Sequence, residues 1–138
     1  MAGSLNKVIL IGNVGQDPII HTLPDGNKVA RLSVCTNEKW TSKKTNEKVT
    51  EIEWHKIVVF VPALTSYIES YVKKGCQVYI EGILKKKPYV KDGIEKIVPE
   101  IHIKGFNHFL IVLNFAKTDN NQDNQQIDSY DMDDSIEF

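Results

Sequence analysis

At 138 residues, 41% of them hydrophobic and 25% charged, the chain has the size of one domain able to bury its own core. Its formal charge of −1 conceals a separation: residues 1–116 carry 16 basic and 11 acidic side chains, whereas residues 117–138 carry one lysine and seven acids. The basic body suits a polyanion, and the acidic end suits solubility or a basic partner. Arg31 is the single arginine among 17 basic residues, which argues against planar, two-pronged reading of base edges and favours point-charge contact with phosphate.

Cys35 and Cys76 stand far apart without the paired spacing of a zinc site, so they are read as small apolar residues in a reducing environment rather than as a disulfide. The opening MAGSLNKVILIGN has an apolar run too short to span a bilayer and no secretory pattern, so a soluble, untargeted protein with no membrane partner is expected. Residues 5–11 form the first strand candidate, closed by a turn at Gly12, Asn13, Gly15, Asp17 and Pro18. GNVGQDP lacks the lysine and hydroxyl residue of a phosphate loop and the later glycine of a dinucleotide fingerprint, so its glycines are read as backbone geometry. A second extended segment at residues 19–23 breaks at Pro24-Asp25-Gly26-Asn27. Residues 29–36 resume a strand, and Trp40 ends it or opens the polar hairpin connection TSKKTNEK.

Residues 49–61, VTEIEWHKIVVFV, alternate with a period of two. Ile52, Trp54, Lys56, Val58 and Phe60 fall on one side, and Glu51, Glu53, His55, Ile57, Val59 and Val61 on the other. Neither side has the composition of a simple wet face, and this strand alone leaves two readings open: Trp54 and Phe60 as sandwich core, or as exposed rings. After Val61 the period changes. Pro62 suits a first helical turn, Leu64, Ile68, Tyr71 and Val72 recur at helical spacing, and Lys73, Lys74 and Gly75 supply a basic last turn and a stop. Residues 76–84 return to strand character, with Gly82 permitting a bend or close approach, and β-branched sequence resumes from Ile94. The expected fold is all-β: five principal strands with one short helix between the third and fourth, closed as a Greek-key barrel.

Two stretches set aromatics among lysines: Trp40 with Lys39, Lys43, Lys44 and Lys48, and Tyr89 with Lys85, Lys86, Lys87 and Lys91. Rings that stack on bases and cations distributed along phosphates are what single-stranded nucleic acid requires. The lone helix has no groove-reading arginine or asparagine, which argues against duplex recognition. His21, His55, His102 and His108 do not form a metal-ligand spacing, and the acids around residue 50 sit on alternating strand positions without a paired histidine or cysteine, so no enzyme, metal or cofactor is expected. Two alternatives remain: an accessory barrel that binds DNA weakly and serves mainly in the assembly of other proteins, and an interaction barrel that does not bind nucleic acid.

LNKVILIGNVGQDP (5–18), TNEKW (36–40), TEIEWHKIVVF (50–60) and YVKKGCQVYIEGILK (71–85) resemble bacterial-type single-stranded DNA-binding protein, over roughly residues 5–105. The resemblance implies an oligonucleotide-binding barrel, a homotetramer, and sequence-independent wrapping of single-stranded DNA in replication, recombination and repair, in a cytoplasmic, nucleoid-associated setting. It assigns base stacking to Trp40, Trp54, Phe60 and Tyr89, the last where a tryptophan is usual. It sets lysines at Lys56, Lys85 and Lys87 where arginines are usual, and matches an oligomer-sensitive histidine with His55.

The same resemblance divides the chain into a barrel, residues 1–113, and an acidic linker and tip, residues 114–138. Residues 116–130 are rich in Asn, Gln and Asp and poor in core-forming side chains, which reads as disorder. DMDDSIEF then resembles the partner-recruiting tip of the family, with Asp133, Asp134, Ile136 and Phe138 as its contacts, Ser135 interrupting the acids, and Glu137 where proline is usual.

Overall fold

The computed structural model describes residues 3–116. Strand β1 (Val8–Val14) is followed by β2 (Ile19–Thr22), β3 (Lys28–Thr41) and β4 (Lys48–Val59), then by the helix α1 (Pro62–Tyr71) and by β5 (Gln77–Lys91), β6 (Ile94–Ile103) and β7 (Phe109–Asn114). Five of these strands close a barrel. β1 pairs β3, β3 pairs β4, β4 runs parallel to β6, β6 pairs β5, and β5 returns to β1. The expected helix lies between the third and fourth of these strands. The short β2 is laid on β3, and β7 on the far edge of β5.

Closure needs β5 to change partners midway: Val8 of β1 lies opposite Gly82, and the next residue, Ile83, lies opposite His102 of β6. A Cβ on Gly82 would meet the His102 carbonyl at 2.6 Å, so the glycine is required by close approach of two backbones at the barrel corner. Beyond the corner, β5 and β6 continue as a long hairpin whose turn residues Asp92 and Gly93 both have positive φ, 55° and 77°, as a two-residue turn matched to strand twist demands. The β3–β4 hairpin is longer still, paired without interruption from Ala30–Val59 to Thr41–Lys48. Trp40 is therefore within the strand, and the connection shrinks to residues 42–47.

The core follows the strand parities. Val34, Ile57, Val59, Val78, Ile80 and Ile103 are fully buried, with Ile68 and Val72 from the helix region covering one end of the barrel. Each such aliphatic side chain stabilises the fold by roughly 1.5–3 kcal/mol relative to exposure. The helix ends sooner than its sequence predicts. Val72 turns extended, buries completely, and its N–H still bonds the Ile68 carbonyl at 3.0 Å. Lys73, Lys74 and Gly75 consequently belong to the following turn, and the last helical turn carries no basic residue. Both cysteines are free, Cys76 buried and Cys35 half-buried.

Candidate nucleic-acid interface

Strand register gathers one parity of β4 with its neighbours on the face turned away from the core. Trp54 lies opposite Cys35, Lys56 opposite Ser33, and Val58 opposite both Arg31 and His102. On β5 the same face continues through Lys85 opposite Glu100, Lys87 opposite Val98 and Tyr89 opposite Lys96. Lys39 and Lys48 extend it toward the tip of the β3–β4 hairpin, by alternation along their strands. The exposed rings settle the open reading of β4: Trp54 is 59% exposed and Phe60 39%, so neither is core. From Trp54 to Phe60 the strand advances roughly 20 Å, and the interval carries a positive charge on Lys56.

That interval has a floor. A groove of about 220 Å³ is lined by Gln16, Asp17, Ile19, Arg31, Ser33 and Lys56 among others, bringing two cations beside polar side chains. Trp54 stands two residues before the groove-lining Lys56 on the same parity of β4, its indole resting on Gly15. Two residues past the groove-lining Val58, Phe60 is tied by its N–H to the Ile103 carbonyl at 2.9 Å, and its ring lies 5.1 Å, centroid to centroid, from the imidazole of His102, tilted by 56°.

Beneath this surface is a buried acid. Glu100 accepts a hydrogen bond from His102 Nε2 at 2.9 Å through Oε1, while Oε2 lies 3.8 Å from an Arg31 guanidinium nitrogen. Burial pushes the Glu100 carboxyl up, but the His102 hydrogen bond and the charges of Lys87, His102 and Arg31 outweigh it and hold the group below its ordinary value. The acid thus stays ionised within a basic face.

The remaining sequence-assigned residues are placed differently. Trp40 is 45% exposed but lies opposite Val49, on the other face of the β3–β4 hairpin, where alternation also puts Glu38, Glu51, Glu53 and His55. Lys43 and Lys44 sit in the 42–47 connection, where Ser42 Oγ accepts from the Lys44 N–H at 3.2 Å. His55 is half-buried opposite Val34, its Nε2 3.0 Å from Thr36 Oγ1. Asp133, Asp134, Ile136 and Phe138 lie outside the described residues. Arg31, Glu100 and His102 were not singled out by sequence, because only cross-strand register brings them to Phe60 and Lys56. Among the described residues no cluster of His, Cys, Asp and Glu could hold a metal, and no helix is long and apolar enough to cross a membrane.

Comparison with known proteins agrees with this geometry. The Single-strand binding protein family model matches residues 5–109. The single-stranded DNA-binding protein of Rickettsia conorii is 42% identical over 152 aligned positions spanning the whole of both chains. That of Rhizobium meliloti is 44% identical over 114 positions, covering 82% of this chain and 66% of the relative. A structure of Plasmodium falciparum SSB in complex with ssDNA superposes with a TM-score of 0.76 at 38% identity, covering 83% of this chain and 99% of that one. A deletion mutant of the Thermus aquaticus single-stranded DNA binding protein, 21% identical with a TM-score of 0.64 over 80% of this chain and 51% of its own, shares the fold. On the strength of the family match and the full-length relatives, the chain belongs to the single-strand binding protein family.

Proposed function

We propose that this protein binds single-stranded DNA without sequence preference, wraps and protects it, and serves replication, recombination and repair. The observation that carries the reading is the single outward face on which Trp54, Lys56, Phe60, Lys85, Lys87 and Tyr89 stand together across β4, β6 and β5. Ring faces accept any base, at roughly 1–3 kcal/mol each, and lysines follow phosphates without reading sequence. The ssDNA held by the Plasmodium falciparum relative supports the same assignment. Trp40 joins as a fourth platform only if the strand passes round the β3–β4 hairpin, which suits wrapping, with Lys39, Lys43, Lys44 and Lys48 around that path.

The working unit in this reading is a homotetramer, with His55 at a contact between copies. A second surface supports assembly. Ile9 and Ile11 of β1, Tyr79 of β5, and Phe109 and Ile111 of β7 share the outer face of a three-stranded sheet. Tyr79 and Phe109 stack at 5.4 Å, and the four residues on β1 and β7 are each 40–54% exposed. An apolar face of this kind is characteristic of a protein interface. The acidic tip, through Asp133, Asp134, Ile136 and Phe138, is assigned to recruitment of partner proteins of DNA metabolism, with the terminal ring as anchor and the acids aiding encounter.

Sedimentation velocity with labelled oligothymidylate tests the reading: a four-chain species should bind the single strand and leave a duplex of equal length free. A monomer at micromolar concentration, or equal binding of duplex, would refute it. For the tip, deletion of Phe138 alone should abolish binding of a partner helicase or exonuclease in fluorescence anisotropy while DNA affinity holds; retained partner affinity would leave the tail a solvating role.

A further inference from the structure

Among the described residues, Glu100 is the one acid that strand register places within the basic outer face, and it is 8% exposed. A buried carboxylate is costly unless its oxygens are satisfied, and the two oxygens of Glu100 are turned to different parts of the surface. Oε1 takes the hydrogen bond of His102, which is itself 5% exposed and cannot reach a ligand. The His102 ring instead backs Phe60 at 5.1 Å. Oε2 faces Arg31, whose side chain is 46% exposed and lines the same groove as Lys56. One carboxylate therefore touches both the support of a ring platform and a cation of the groove, and the pairings come from three strands: β6, β3 and the end of β4.

We propose that Glu100 is a positioning residue of the DNA-binding surface, setting the Phe60 platform through His102 and restraining Arg31 through its second oxygen. The inference rests on the single-stranded DNA reading above. The two arms have different physical signatures. His102 acts on stacking, which persists at high salt, whereas Arg31 acts on phosphate, whose contribution appears in the slope of affinity against salt. With its carboxylate partner in place, Arg31 is partly neutralised; without it, the guanidinium turns to a phosphate.

The test is titration of full-length protein with a long oligothymidylate, followed by tryptophan fluorescence from low salt to about 1 M. The variants are Glu100→Gln and His102→Ala, each alone and with Phe60→Ala. His102→Ala should lower affinity at about 1 M salt roughly threefold or more, a fraction of one stacking contact, with its salt slope unchanged. In the Phe60→Ala background the same substitution should cost nothing further, since interacting positions are non-additive. Glu100→Gln keeps an oxygen for His102, so its high-salt affinity should hold while its log–log slope steepens by about 0.7, one more phosphate neutralised.

If His102→Ala does not fold, His102→Leu fills the space without the ring or donor and reads the same coupling. A His102 loss of equal size with and without Phe60 would overturn the inference, as would an unchanged slope in Glu100→Gln. Failure of the wild-type protein to bind oligothymidylate at all would instead overturn the reading on which it rests, and the inference with it.

Discussion

The indole of Trp54 lies on Gly15: a Cβ built on that glycine would fall 2.7 Å from Cη2 of the ring and closer still to Cζ3. The turn after β1 is thus the seat of a side chain on β4, and the glycine's lack of a side chain is what lets a 59% exposed ring rest against the turn's backbone. Gly15 has no positive φ, so its backbone accepts alanine, and the far edge of an exposed indole can move aside.

Gly15→Ala should therefore lift the Trp54 ring without unfolding the barrel. The melting temperature should stay within about 2 °C, because the displaced group is on the surface. Single-strand affinity should fall about three- to tenfold, part of a stacking contribution of roughly 1–3 kcal/mol. Emission spectra of the free variant and oligothymidylate titrations check both; a melting temperature far lower with affinity retained would make Gly15 a folding residue only.

Acid should weaken the fold through Glu100. Its carboxyl is held below the ordinary value in the folded protein by His102, Lys87 and Arg31, which outweigh its burial, so the unfolded chain takes up the proton first. The stabilisation is complete above the unfolded-state value and is lost as pH falls through the folded one. Glu100→Gln should be less stable than wild type at neutral pH, with the difference shrinking as pH drops below the carboxylate range. Urea melts across that range measure it, and a constant difference at all pH would show that the charge of Glu100 carries none of the effect.

In the proposed homotetramer, His55→Tyr should shift the equilibrium toward monomer at low protein concentration. The larger ring would replace a half-buried imidazole that stands 3.0 Å from Thr36, and an overpacked contact between copies loses stability that mass action exposes on dilution. Analytical ultracentrifugation across a dilution series decides it. A tetramer that persists at every concentration would place His55 away from the contact.

What the sequence made legible was whatever depends on counting along one strand. The alternation of Trp54, Lys56 and Phe60 is such a count, and it holds. Relations between strands were not legible, because register is set by turns and corners. Trp40 looks like a companion of Trp54 among lysines, yet the 42–47 connection fixes Trp40 opposite Val49 and so on the other face. Arg31 on β3 and the Glu100–His102 pair on β6 come from strands far apart in the chain, and the parallel pairing of β4 with β6, which brings His102 to Val58, has no local signal. Gly82 was readable as a bend, but its partner, the His102 carbonyl, was not. The helix end was misplaced for the same reason: Val72 fits the helical spacing, but burial against the barrel draws it into extended backbone.

In the proposed function, stacking on an outward aromatic face, more than charge in the loops, holds the single strand. The most direct measurement compares Trp54→Ala with Lys43→Ala in tryptophan-fluorescence titrations with oligothymidylate and with duplex DNA, both variants first shown to fold. In the wild-type protein the single strand should quench emission strongly and duplex hardly at all. Trp54→Ala should weaken single-strand binding by about five- to a hundredfold, the loss of one ring platform. Lys43→Ala, a mobile charge in the hairpin connection screened by salt, should cost about twofold or less. Equal losses in the two folded variants, or quenching by duplex as strong as by single strand, would show that the aromatic face does not hold the single strand.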